Sequence, residues 1–181
     1  MMRRNSVVAA IAAAMLAGSA GAQDVPLDDL FDALRAADAE TAPRIVDKIG
    51  AEWSKSGSPA MDLLLQRGRD ALDEGDAAQA IGHLTALIDH AQDFAEAYNA
   101  RATAFFALGQ YGPAMEDVRI VLALNPRHFG ALSGLAIMLD ETGRKEGALA
   151  AWRAVVAIYP ASPQADDAIA RLELETGGRT L

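Results

Sequence analysis

The chain has 181 residues, 25 acidic against 16 basic side chains, a formal charge of −9, and no cysteine. Such an acidic balance repels phosphates and anionic lipid and makes nucleic acid a poor partner. Without cysteine, a disulfide framework, a thiolate metal site and a thiol nucleophile are excluded together.

Met1-Met2-Arg3-Arg4-Asn5-Ser6 precedes an apolar run from Val7 to Ala17, followed by Gly18-Ser19-Ala20-Gly21-Ala22. A basic start, an apolar centre and a small-residue end make residues 1–22 a signal peptide, with Ala20-Gly21-Ala22 as the cleavage box. The competing reading is an uncleaved anchor, but the run falls short of the roughly 20 apolar residues that span a bilayer. With no cysteine after the run, a lipoprotein is excluded. Cleavage would leave Gln23 as the first residue and, by removing Arg3 and Arg4 but no acid, take the charge from −9 to −11. The expectation is an exported chain, placed in the periplasm and not inserted in the membrane.

From Leu27, apolar residues recur at helical spacing through Leu30, Phe31, Leu34 and Ala37, and again at Ile45, Val46, Ile49 and Trp53 after Pro43. Pro43 suits a first helical turn, and Ser56-Gly57-Ser58-Pro59 supplies turn chemistry. Residues 23–60 are therefore expected to form a helical cap or degenerate repeat, covering an apolar face that the end of a repeat array would otherwise expose.

Three windows of 34 residues follow, beginning at Met61, Ala95 and Phe129, with the same residue types at the same offsets. Gly68, Ala102 and Ala136 stand where two helices must approach closely, and Ala80, Ala114 and Ala148 recur twelve residues on. Gly75, Gly109 and Gly143 mark each turn, where a residue past a helix end needs positive φ. Residues 61–94, 95–128 and 129–162 thus predict three helix-turn-helix units stacked as an all-α solenoid. Pro126 and Pro160 end the second and third units, whereas Gln92 stands where the first would have proline, leaving that junction to packing alone. In residues 163–181, Pro163 opens a capping helix bearing Ala165, Ala168, Ile169 and Leu172, and Gly177-Gly178 stops it.

Set against this register, the chain resembles the tetratricopeptide repeat (TPR) family. The large residue early in each first helix matches Leu64, Tyr98 and Leu132, and the small site matches Gly68, Ala102 and Ala136. The bulky residue beyond it matches Phe105 and Leu139, though only Ala71 in the first unit. In the second helices Leu84, Val118 and Trp152 are followed by Leu87, Val121 and Val155. Resemblance is strong over 61–162 and weak over 27–54. Ser56–Pro59 and Asn125–Leu132 are similar to small exported TPR proteins of Gram-negative bacteria, a group without an assigned activity.

The resemblance implies a ligand groove on the inner face, made by the first helix of each pair. Its expected partner-binding residues are Leu65, Arg69, Leu72, Asn99, Thr103, Phe106, Ser133 and Ile137, flanked by Asp62, Glu96, Gly130 and Asp140. This mostly neutral surface suits an extended peptide or an amphipathic helix of a partner protein. The other reading leaves it as a solvated face or one covered by the N-terminal pair. At the positions of a carboxylate clamp stand Leu65, Arg69, Glu96, Ala100 and Gly130, too little positive charge to hold a terminal carboxylate. Arg101, at an offset where many TPRs carry leucine, implies a structural ion pair with Asp117; Arg67 shares the offset.

For catalysis the residues offer little. His83 and His90 lie seven apart without a third ligand at metal spacing, so neither a metal nor a cofactor is expected. Gly130-Ala131-Leu132-Ser133-Gly134 lacks the G-x-S-x-G pattern and a preceding strand. The reading is a non-catalytic scaffold or adaptor of the cell envelope. Alternatives are a self-assembling structural protein whose terminal helices occupy another copy's groove, and a hydrolase with an undetected site.

Overall fold

The computed structural model describes residues 26–177, so the expected leader and the last four residues lie outside it. Among the described residues the secondary structure is nine α-helices. They are α1 (Leu27–Ala36), α2 (Ala42–Trp53), α3 (Pro59–Asp73), α4 (Ala77–His90), α5 (Ala95–Ala107), α6 (Tyr111–Leu124), α7 (Phe129–Glu141), α8 (Lys145–Ile158) and α9 (Pro163–Gly177). The class is all-α, with consecutive helices packed in antiparallel pairs: α3 on α4, α5 on α6, α7 on α8. In addition α3 packs on α5 and α5 on α7, so the first helices of the pairs form a continuous wall.

The turns and close approaches follow from single residues. Gly75, Gly109 and Gly143 have φ of +81°, +68° and +76°, a region where a Cβ would strain the backbone. At Gly68 a Cβ would lie 2.6 Å from Leu84 Cγ, and Leu84 is fully buried between α3 and α4. Ala102 and Ala136 occupy the same offset and are buried with their methyl groups packed. Asp76 caps α4 by accepting the Gln79 amide at 2.9 Å. The first junction, expected to rely on packing alone, also carries a hydrogen bond, from the Tyr98 hydroxyl to the Gln92 carbonyl.

One expectation about the N-terminal pair is corrected. Helices α1 and α2 do not cover the outer face of the first repeat. In α5 that face is Ala97, Ala100 and Ala104, all buried; the equivalent residues of α3 are Leu63, Gln66 and Asp70, all exposed, with Leu63 at 51%. Gln66 donates to Asp70 across one turn. Polar substitution in its own sequence thus solvates the end of the array, which removes the need for a covering pair. The pair instead buries Leu30, Phe31, Leu34, Ala42 and Ile49 in a core shared with α7, α8 and α9, including Phe129, Leu149 and Trp152.

At the other end α9 lies along α8, burying Ala165 and Leu172. Its outward residues are mostly polar, with Leu174 exposed among them. Lys145 and Arg171 both bind Asp140 and Glu175, tying α7, α8 and α9 together.

Candidate functional site

The inner wall divides into two parts with different chemistry. Between α5 and α7 lies a cleft of about 250 Å³, partly open to solvent. Of the expected groove residues it brings together Asn99, Thr103, Phe106, Ser133 and Ile137, and adds Ala102, Val118 and Met138 at its floor. Thr103 Oγ donates to the Asn99 carbonyl at 3.1 Å and Ser133 Oγ to the Phe129 carbonyl at 2.9 Å. Both hydroxyl hydrogens are therefore used within their own helices. Ile137 also borders a second, more open and polar hollow between α7 and α9, lined by Asp140, Glu141, Asp167 and Arg171.

The α3 part of the expected groove is largely engaged within the fold. Leu65 is 2% exposed and belongs to the core shared by α3 to α7, because α5 packs against this side of α3. Leu72 is half-buried against the same core. Arg69 is bound on both sides: its Nη1 donates to Ser54 Oγ at 3.0 Å and its Nη2 to Glu96 Oε1 at 2.6 Å. Leu65 is thus an internal residue, whereas Arg69 and Leu72 keep part of their surface exposed, with Arg69 already paired.

Glu96 joins the array's parts. Its carboxylate is buried and accepts from Arg69, from Asn99 Nδ2 at 3.3 Å, and from His128 Nε2 at 3.0 Å. His128 caps α7, its Nδ1 accepting the Ala131 amide at 3.0 Å. An imidazole that accepts at Nδ1 is the neutral tautomer with its hydrogen on Nε2, the one needed to donate to Glu96. Burial alone would raise the Glu96 pKa; the hydrogen bond from His128, together with the charge and hydrogen bond of Arg69, outweighs it and holds the group below its ordinary value.

The His128 ring stacks on Trp53, centroids 4.2 Å apart and planes 18° off parallel, and Trp53 also meets Phe129 at 5.1 Å. Nearby, the Arg127 guanidinium sits 4.1 Å over the Phe31 ring and binds Asp28 at 2.7 Å. A polar chain thus runs from Ser54 at the end of α2 through Arg69 and Glu96 to His128, joining the N-terminal pair to the first two repeats and, through the His128 cap on α7, to the third. Sequence reading placed Glu96 on the inner face without a role and passed over His128. A signal was present: an acid facing an arginine on a mostly neutral wall.

Arg101 and Asp117 form a two-pronged ion pair, Nε to Oδ2 and Nη2 to Oδ1, both at 2.8 Å. Arg101 Nη1 also donates to Thr85 on α4 at 3.2 Å, so the pair links the first and second repeats. Arg67, at the same offset, is exposed on the outer face of α3. His83 and His90 belong to no group of three metal-ligating side chains among the described residues.

Residues 65–119 and 100–163 each match the tetratricopeptide repeat family model. The chain belongs to the TPR family. A TPR repeat-containing protein of Rhizobium etli is 40% identical over 156 residues, covering 85% of this chain and 76% of the relative. Among solved structures, the first TPR of Spaghetti (RPAP3), bound to the HSP90 peptide SRMEEVD, superposes with a TM-score of 0.63 at 20% identity. It covers 65% of this TPR chain and 93% of its own. MamA aligns over 83% of this chain and 81% of its own, with a TM-score of 0.61 and 24% identity. These likenesses show a shared TPR fold.

Proposed function

We propose that this TPR protein is a non-catalytic scaffold of the cell envelope that holds a segment of a partner protein in the α5–α7 cleft. The observation that carries the reading is the cleft itself: Phe106 and Ile137 offer apolar area on the wall, with Asn99, Thr103 and Ser133 placed for backbone hydrogen bonds. TPR membership supports protein binding, and a solved TPR neighbour holds a peptide. Export rests on the leader pattern of residues 1–22, and a relative in a Gram-negative bacterium is consistent with a periplasmic setting.

Affinity capture from envelope extract tests it, comparing the native chain with a variant carrying Asn99→Ala and Phe106→Arg. A protein retained by the first and lost by the folded variant supports the reading; equal capture moves binding to another surface. A second reading, self-assembly by exchange of the N-terminal pair, is favoured by the docking of α1 and α2 on the third repeat instead of on the adjacent α3. Concentration-dependent mass in light scattering separates it from a monomeric adaptor.

A further inference from the structure

We propose that the α5–α7 cleft selects a cationic partner segment: an apolar side chain seated in the cleft, with lysine or arginine beside it. The inference rests on the reading of the cleft as the binding site and adds the chemistry of its occupant.

Three observations carry it. First, the polar groups of the cleft present acceptors. The hydroxyl hydrogens of Thr103 and Ser133 are committed to carbonyls one turn back in their own helices, which leaves their oxygen lone pairs for a ligand. Asn99 commits one Nδ2 hydrogen to Glu96, which leaves its carbonyl oxygen and a single N–H, so acceptors outnumber donors among the cleft's polar side chains. A ligand that fits such a site donates hydrogen bonds, as backbone amides, ammonium and guanidinium groups do and carboxylates do not.

Second, the cleft runs at Ile137 into the hollow between α7 and α9, whose charged lining is Asp140, Glu141 and Asp167 against Arg171 alone. Glu141 and Asp167 are exposed; Glu141 accepts from the Tyr111 hydroxyl and keeps its charge facing solvent. Third, the cations that reach the wall are already spent. Arg69 is bound to Glu96, and Arg171 to Asp140 and Glu175. An acidic ligand would find no free counter-charge there, whereas a cation meets two exposed carboxylates within an overall field of net charge −9.

The test uses fluorescence anisotropy with the purified chain and short labelled peptides that share a central phenylalanine and differ only in flanks of lysine, serine or glutamate. A lysine-flanked peptide with serine replacing phenylalanine completes the set. The expected result is binding of the lysine–phenylalanine peptide about tenfold tighter than its serine-flanked counterpart at low salt, as two exposed charge pairs allow. Raising the salt should shrink that ratio. Thr103→Trp, which fills the cleft from an exposed position, should abolish binding. Glu141→Lys with Asp167→Lys, both at the surface, should reverse the preference while thermal melts stay unchanged.

Equal binding of all phenylalanine peptides, lost in Thr103→Trp, would overturn the charge inference and leave the cleft reading standing. Preference for the glutamate flanks would overturn it outright. Binding of the lysine peptides regardless of phenylalanine and of Thr103→Trp would place the contact outside the cleft and overturn both. Absence of binding by every peptide would overturn the proposed chemistry, the cleft reading then resting on the capture comparison.

Discussion

Replacing Asp117 by asparagine removes one charge from the best-formed ion pair in the array. The carboxylate is 4% exposed and takes two hydrogen bonds of 2.8 Å from Arg101, which is itself 17% exposed. Hydrogen bonding to Asp117 raises the Arg101 pKa above its ordinary value; with that partner lost the guanidinium still stays charged, because arginine is not deprotonated in proteins. Asparagine can accept one of the two bonds and leaves an uncompensated cation between α4, α5 and α6. Breaking a buried pair in this way costs about 3–5 kcal/mol. Thr85 and the partial exposure of Arg101 place this site at the low end, about 3 kcal/mol. For a domain of this size each kcal/mol moves the thermal midpoint by about 2–4 °C, so Asp117→Asn should lower it by about 6–12 °C. The assay is thermal and urea melting followed by circular dichroism, with the urea slope checking that a repeat array still unfolds as one unit. Arg101→Met combined with Asp117→Leu should recover most of the loss, because the apolar pair leaves no buried charge. A midpoint shift below about 2 °C with unchanged slope would refute the reasoning, as would a double variant no more stable than the single one.

Trp53→Ala removes the ring that stacks on His128 and Phe129; being half-buried, it should cost about 2–3 kcal/mol, somewhat below a fully buried aromatic, with faster amide exchange confined to α1 and α2. Uniform exchange across all helices would contradict the docking described. Gly68→Ala should destabilise by about 1–3 kcal/mol despite alanine's better helix propensity, since Leu84 is fully buried and cannot yield the 2.6 Å approach; a stabilised variant in urea melts would show that it can. Because the folded pKa of Glu96 lies below its ordinary value of 4.5, its contribution is full above that pH and lost as pH falls beneath it. The thermal midpoint should therefore decline below about pH 4.5, less steeply in Glu96→Gln; equal slopes would contradict the network.

The array was legible because its constraints are local. A glycine at +68° to +81° beyond each first helix and a small residue at each close approach recur at fixed offsets, and each has a steric reason at the position where it stands. What the sequence did not disclose depends on pairings across long separations. The periodicity of Leu30, Phe31 and Leu34 establishes that α1 has an apolar side, yet nothing in it says whether that side meets α3 or α8. Likewise Leu65 satisfies the spacing of an inner-face residue, and only the approach of α5 buries it. Arg69 comes from the first repeat, and Glu96 and His128 from opposite ends of the second; their shared charge logic became visible once the wall brought them within hydrogen-bonding distance. Five of the eight expected groove residues meet at the cleft since α5 and α7 leave their inner faces open, whereas α3 does not.

The central claim is that the partner is held in the α5–α7 cleft. Its most direct measurement is photo-crosslinking in cells with a photoreactive amino acid placed singly at Thr103, at Ser133, and at exposed Glu116 on α6. The account predicts the same crosslinked protein from Thr103 and Ser133 and none from Glu116. Adducts from Glu116 alone, or none from the cleft positions in a folded chain, would contradict it.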